Sequence, residues 1–449
     1  MKSINYFLSI IISFLFLSTS LIAEEKVKSE EKKDKSSLYS GLKFRSIGPA
    51  LMSGRISDIV IHPKNENVWY VTAGSGGVWK TENSGTTWSS IFDGQKSYSI
   101  GCITLDPQNL NVVWVGTGEN VGGRHVAYGD GIYKSEDGGK SWKNMGLKKS
   151  EHLSKIIVHP KNSNIVWVAS QGPLWSSGGE RGVYKTIDGG KTWTQTLGDS
   201  EWVGATDLLI DPRNPNHLYA ATWQRHRTVA GYMGGGPGTG IYKSTDGGEN
   251  WQELKKGLPK SNMGKIGLVL SPQNSDVIYA AIELDRRTGG VYKSIDQGAN
   301  WKKMSDAVAG GTGPHYYQEL YASPHNEGEI YLADNYMQVS YDGGKTFVRM
   351  NETEKHVDNH AVAFKMSDPN YILVGCDGGL YESFDRTKNW KFVDNLPLTQ
   401  FYKIAVDDAK PFYNVFGGTQ DNNTQGAPSR TDNIHGIRNS DWFIVLGGD

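Results

Sequence analysis

Three groups of side chains in this sequence have the types and spacing to do chemistry. His356, Asp358 and His360 stand at alternate positions in His-Val-Asp-Asn-His, and on an extended strand alternate side chains share one face. Two imidazoles and a carboxylate on one face suit a divalent metal, the one cofactor the sequence suggests, or a proton-transfer site. Arg225, His226, Arg227, Arg286 and Arg287 would form a cationic rim apt for a carboxylate, sulfate or phosphate. Arg124, His125, His315 and Tyr316 occupy similar polar stretches and extend this candidate binding set. Asp377, in Gly-Cys-Asp-Gly-Gly, and Asp421, in Gly-Gly-Thr-Gln-Asp-Asn-Asn, make the third group. Two carboxylates facing each other across a cleft could act as acid and base on a glycosidic bond. Each group also has a plain structural reading: a polar strand entry, a solvated rim and an ordinary turn.

The elements that position these residues are repeats. One hairpin, S/T-x-D-x-G-x-x-W in outline, recurs at Lys80–Trp88, Lys134–Trp142, Lys185–Trp193, Lys243–Trp251, Lys293–Trp301, Val339–Phe347 and Glu382–Trp390. Successive copies lie roughly 43 to 58 residues apart, the period of a four-stranded propeller blade and not of a helical solenoid. Asp and Gly supply the tight turn, the Asp carboxylate accepts backbone N–H groups, and the aromatic packs between sheets. The first copy has Asn83 for Asp, and the last has Arg386 and Thr387 for the glycine pair. Ahead of each hairpin run two apolar strands joined by a Pro/Asn turn, as in Ile56–Val71. The fold expected is all-β, a propeller of four-stranded blades A–B–C–D, most simply seven-bladed. A further unit starts at Phe401 without a box; it is read as an eighth blade closed by a strand near Leu42–Ile47, or as the start of a second propeller in a chain cut short at Asp449. In such blades the A–B and C–D turns share one face, and the B–C and D–A loops the other. The middle B–C loops are long and polar, so binding is expected on that second face.

Residues 1–23 read as a secretory signal peptide, with Lys2 ahead of the apolar run Tyr6–Leu17. Residues 24–37 read as a disordered charged linker, and 38–400 as the propeller. A secreted, periplasmic or cell-surface protein follows, with no membrane span once the signal is removed. The 449 residues carry 47 Lys+Arg against 48 Asp+Glu, so no global field draws nucleic acid or an anionic membrane. The partner expected is a glycan or polypeptide. Cys102 and Cys376 sit in separate strand-like runs and read as two buried thiols.

These residues resemble the Asp-box, or bacterial neuraminidase-type repeat, propellers, particularly the sortilin-like and xyloglucanase-like proteins of exported bacterial systems. The resemblance spans about Leu38 to the end and specifies fold more closely than activity. Its sortilin-like side implies binding of peptides or proteins. Its xyloglucanase-like side implies a catalytic Asp just before the glycine pair of the first blade, where this chain has Gly74 in Thr72–Gly77. That resemblance places the second catalytic Asp in a further propeller. Sialidases share the boxes, but Phe44–Pro49 is only a loose echo of their F/Y-R-I-P start.

Overall fold

The structure is a computed structural model and describes residues 41–43, 45–48, 51–198, 201–285, 288–310, 313 and 315–448. The signal peptide and charged linker expected at 1–37 lie outside the described residues, as do Arg286 and Arg287. Gly48–Asp449 forms one compact unit. It contains eight four-stranded antiparallel sheets, each built from consecutive strands, plus a two-stranded hairpin, His226–Arg227 with Tyr232–Met233, inserted in the B–C connection of the fourth. The A strands are Ile56–Ile61, Ile100–Leu105, Leu153–Val158, Val203–Asp211, Ile266–Leu270, Leu320–Ala322, Asn359–Phe364 and Phe401–Val406.

The B strands are the buried heart of each sheet; Trp69–Ala73, Val113–Thr117, Val166–Ser170 and Ile372–Cys376 are buried throughout. Strands covered on both faces by neighbouring sheets read as continuous apolar runs. Core clusters bridge successive sheets, and the cluster built on Ile56, Trp69 and Val71 of the first sheet also contains Ala361, Tyr371 and Leu373 of the seventh. First and seventh sheets are therefore neighbours. The eighth differs: Tyr402, Ile404 and Val406 of its A strand and Phe443–Leu446 of its D strand are exposed. This sheet draws all four strands from 401–446, and the described residues of 42–47 contribute no strand to it.

The boxes act as inter-sheet rivets. In the second copy the Ser135 hydroxyl donates to Asp137 (2.7 Å) and accepts from Gly139 N (2.8 Å), while Asp137 accepts from Ser141 N (2.9 Å). The box Trp142 donates its indole N–H to Ile91 O of the preceding sheet (2.7 Å), Trp193 does the same to Met145 O (2.8 Å), and Trp88 reaches Asn395 of the seventh sheet (3.2 Å). The irregular copies keep this geometry. Asn83 accepts from Thr87 N (2.8 Å), and Arg386 and Thr387 take φ of 57° and 70° where most other copies use glycine. Cys102 and Cys376 are buried free thiols.

Candidate functional site

The A strands of six sheets start with a β-bulge, which shifts their register to the B strand between Ile56 and Asp58, Leu153 and Lys155, and Asn359 and Ala361 among others. A bulge re-aims the side chains at a strand entry. The residue immediately before strand A is Arg55, His152, Lys265, Glu319 or Asp358 in five of the sheets, so titratable groups are placed at the loop-face end of the strands. Further along, Lys155, Asp207, Lys265 and Glu319 line a cavity of about 30 Å³. Asp58 and Asp207 there each accept a backbone N–H from the next sheet, from Ile103 (3.0 Å) and Leu268 (2.8 Å).

Above that cavity, the second B–C loop is held by four consecutive carbonyls. Glu119 O accepts from His152 Nδ1 (2.8 Å), Asn120 O from Gln171 Nε2 (2.9 Å), Val121 O from Arg225 Nη1 (3.1 Å) and Gly122 O from Arg227 Nη2 (2.8 Å). Gly122 N also donates to His315 O (2.7 Å). The loop thus reaches from the second sheet to the third, the fourth and the connection leading into the sixth.

This clamp takes up the Arg225 and Arg227 members of the expected cationic rim. Arg225 is fully buried, with Nη2 on Gly172 O (3.1 Å), and burial lowers its pKa to about 9. Arg227 lies over the Tyr232 ring at 4.3 Å, and His226 packs on Trp202 with ring centroids 3.9 Å apart. Guanidinium groups spent on buried carbonyls are not presented to a ligand. Arg124, farther along the same loop, is exposed.

The held loop delivers Glu119 and His125 to a buried charge cluster. Arg55 donates Nε to Asp377 Oδ1 (2.6 Å) and Nη2 to Oδ2 (2.9 Å), and its Nη1 reaches Glu119 Oε2 at 3.2 Å. His360 Nε2 donates to Asp377 Oδ1 (2.8 Å). Nη1 also lies 3.2 Å from His125 Nε2; a guanidinium only donates, so the imidazole accepts there. Tyr316 lies 5.7 Å over Arg55 and stacks with His125, which also meets Tyr402. His315 packs between Tyr232 and Tyr316. Asn422 Nδ2, from the turn that carries Asp421, donates to Asp377 O (2.8 Å).

The two carboxyls respond oppositely to this setting. Burial pushes Asp377 up, but Arg55 and His360 outweigh it and hold the group well below the usual carboxylate range. Burial raises Glu119, and Arg55 only partly offsets it. The Asp421 carboxylate accepts from Gln420 Nε2 (2.6 Å), and its backbone carbonyl, not its carboxylate, meets His356 Nε2 (3.3 Å). The carboxyl that shares Arg55 with Asp377 is therefore Glu119, which spacing in the sequence did not single out.

His356, Asp358 and His360 do not converge. Asp358 takes φ of 65° and the bulge follows at once, so the alternation expected of a strand is broken. Asp358 accepts from Tyr317 Oη and from Asn335 Nδ2 (2.6 Å), while His360 turns to Asp377. His356 donates from both ring nitrogens, to Val357 O (2.7 Å) and Asp421 O (3.3 Å). Burial disfavours its charge, but Cys376 and these carbonyls outweigh that and raise it to about 10. An imidazolium has no lone pair for a metal. Among the described residues no group of three His, Cys, Asp or Glu side chains could hold a metal ion.

Residues 130–287 match the family model described as sortilin, neurotensin receptor 3. A xyloglucanase of Hypocrea jecorina is 25% identical over 230 residues, 45% of this chain and 26% of that protein. A xyloglucanase of Acetivibrio thermocellus is 25% identical over 228 residues, 44% of this chain and 25% of that protein. Among solved structures, a GH74 enzyme of Niastella koreensis superposes with a TM-score of 0.62 at 18% identity, covering 88% of this chain and 61% of that one. The GH74 xyloglucanase of Xanthomonas campestris gives 0.62 at 14% identity, covering 84% and 59%. The chain spans about a quarter of the length of these curated relatives and about three fifths of these structures. It is a β-propeller of Asp-box repeats, sortilin-like and xyloglucanase-like in its sequence and fold.

Proposed function

We propose that this chain is a glycoside-hydrolase-like propeller that takes a glycan on its B–C/D–A face, with seven sheets closing the ring and the eighth opening a second propeller. The observation that carries this reading is the set of exposed aromatics there. Tyr98, Tyr128, Trp175, Tyr336 and Tyr402 are all exposed, and all lie in B–C or D–A connections or at the start of an A strand. Flat rings with one polar edge suit stacking against sugar rings whose hydroxyls stay in water. They share the face with the Asp377 and Glu119 carboxyls, the residue types that glycosidic hydrolysis uses. Gly74, where the xyloglucanase resemblance implies a catalytic Asp, adds a specific point. A Cβ at position 74 would stand 2.4 Å from Glu119 Oε1, so the Glu119 carboxyl fills the space a side chain there would need. The lysine-led apolar run at the N-terminus fits export, where polysaccharide would be met.

A second reading, glycan or polypeptide binding without turnover, is favoured by the burial of these carboxyls: Glu119 is 1% and Asp377 2% exposed. Incubating the full-length protein with a panel of soluble plant and bacterial polysaccharides, and following both retention on immobilised glycan and release of reducing ends, tests the two. Reducing ends released from a retained glycan support the hydrolase. Retention alone supports the binding module, and neither result sinks both.

A further inference from the structure

We propose that Glu119 is the proton-donating carboxyl of this face, positioned by Arg55, Asp377 and His360. The inference rests on the hydrolase reading above and assigns within it a residue that the repeats do not single out.

Hydrogen bonds divide the two carboxyls. Asp377 receives three charge-assisted bonds, two from Arg55 at 2.6 and 2.9 Å and one from His360 at 2.8 Å, and donors aimed at both oxygens favour the ionised form. Glu119 receives one bond from Arg55 on Oε2 at 3.2 Å, while Oε1 has the Ser75 hydroxyl at 3.5 Å and lies against the bare backbone of Gly74. One cation cannot stabilise two buried carboxylates equally. The group with fewer and longer bonds holds a proton more readily than its neighbour, and burial raises Glu119 while Arg55 and His360 hold Asp377 low. Environments that push two neighbouring carboxyls apart are how one site holds an acid at neutral pH.

The backbone fixes Glu119 from below. Its carbonyl accepts from His152 and its N–H donates to Ser99 Oγ (3.1 Å), so the side chain leaves a braced strand end. His125 joins the same Arg55 Nη1 from the loop side, through a 3.2 Å contact, and stacks on Tyr316. A glycan reaches Glu119 by displacing that ring. In the step itself the glycosidic C–O bond breaks with its electron pair on the leaving oxygen, which takes the Glu119 proton. A water oxygen bonds to the anomeric carbon, and the proton it releases restores Glu119.

The test uses the full-length protein, Glu119→Gln and Gly74→Ala on two probes: a dinitrophenyl oligosaccharide, whose leaving group needs no proton, and the matching unmodified oligosaccharide, whose leaving group does. Glu119→Gln is expected to lose roughly 100-fold or more in kcat/KM on the unmodified sugar and far less on the dinitrophenyl one. Gly74→Ala, which displaces the same carboxyl without changing it, is expected to show the same asymmetry. A readout independent of turnover is the infrared difference between wild type and Glu119→Gln near neutral pH, which should contain a protonated carboxyl band. Equal losses on both probes, no loss on the unmodified sugar, or absence of the band overturns the assignment. If the wild type turns over neither probe, the hydrolase reading falls and the proton-donor role with it, even where the band is present.

Discussion

The Arg55 guanidinium grips both oxygens of Asp377, at 2.6 and 2.9 Å, although the two residues lie 322 positions apart. One precedes the first A strand and the other follows the seventh B strand. Among the described residues no strand is exchanged between the first and seventh sheets, and this pair, the shared apolar cluster and the Trp88–Asn395 bond join them.

Asp377→Ala leaves a buried guanidinium without its main partner and is expected to cost about 3–5 kcal/mol, read by denaturant titration. The pH dependence has a definite sign. The folded-state pKa of Asp377 is depressed, so its stabilisation is present above the ordinary carboxylate value of 3.8 and is lost as the pH falls below it. The variant should therefore be less sensitive to acid than the wild type in that range.

His152 is buried beside Arg225 and Arg181, and burial first, then these charges, lowers it to about 3 from 6.5. Its folded pKa is depressed, so the unfolded chain takes up a proton that the folded chain refuses as the pH falls from about 6.5 towards 3. Stability should decline through that window with a contribution of about 1.4 kcal/mol per pH unit. His152→Gln should remove this component from the measured slope.

Ser244 represents the boxes. Its hydroxyl donates to Asp246 (2.8 Å) and accepts from Gly248 N (2.8 Å), and it is 1% exposed. Ser244→Ala leaves a buried N–H unpaired and should cost about 1–3 kcal/mol in thermal unfolding, with glycan retention unchanged because the box lies on the opposite face.

Trp175 in the third B–C loop is 45% exposed and belongs to the proposed sugar platform. Trp175→Ala should weaken retention on glycan by about 3- to 10-fold, the worth of one stacked ring, with no change in the unfolding midpoint. A fall in both would assign the ring to packing.

Arg227 holds Gly122 O through Nε (3.2 Å) and Nη2 (2.8 Å). Arg227→Met should speed amide hydrogen exchange in residues 119–125 while the A and B strands keep their protection. Unchanged exchange would mean that the other clamps suffice.

The periodic features were legible in the sequence because they are local. The Ser-x-Asp-x-Gly turn satisfies its own hydrogen bonds within a few residues, and the apolar A and B runs mark the strands that neighbouring sheets cover on both sides. The loop lengths were legible for the same reason: B–C connections such as Gly118–Gly131 are long and polar where the boxes are short and regular. The charged residue before strand A, as in Arg55 and Lys265, also stands in the repeats, but a repeat pattern does not say where such a charge points.

Pattern within one segment failed wherever the outcome depended on a partner far along the chain. His356, Asp358 and His360 alternate in sequence, yet a left-handed Asp358 and a bulge send them to Val357 and Asp421, to Tyr317 and Asn335, and to Asp377. Arg225 and Arg227 read as a rim and prove to clamp the backbone of another sheet's loop. The sequence by itself determined the repeat and the blade, since turn chemistry and strand burial act over a few residues. Only the tertiary structure decided that Arg55, Glu119, Asp377 and His360 meet, because bending the sheets round brings the first beside the seventh, and in that dry enclosure each charge is set by the neighbours it meets there.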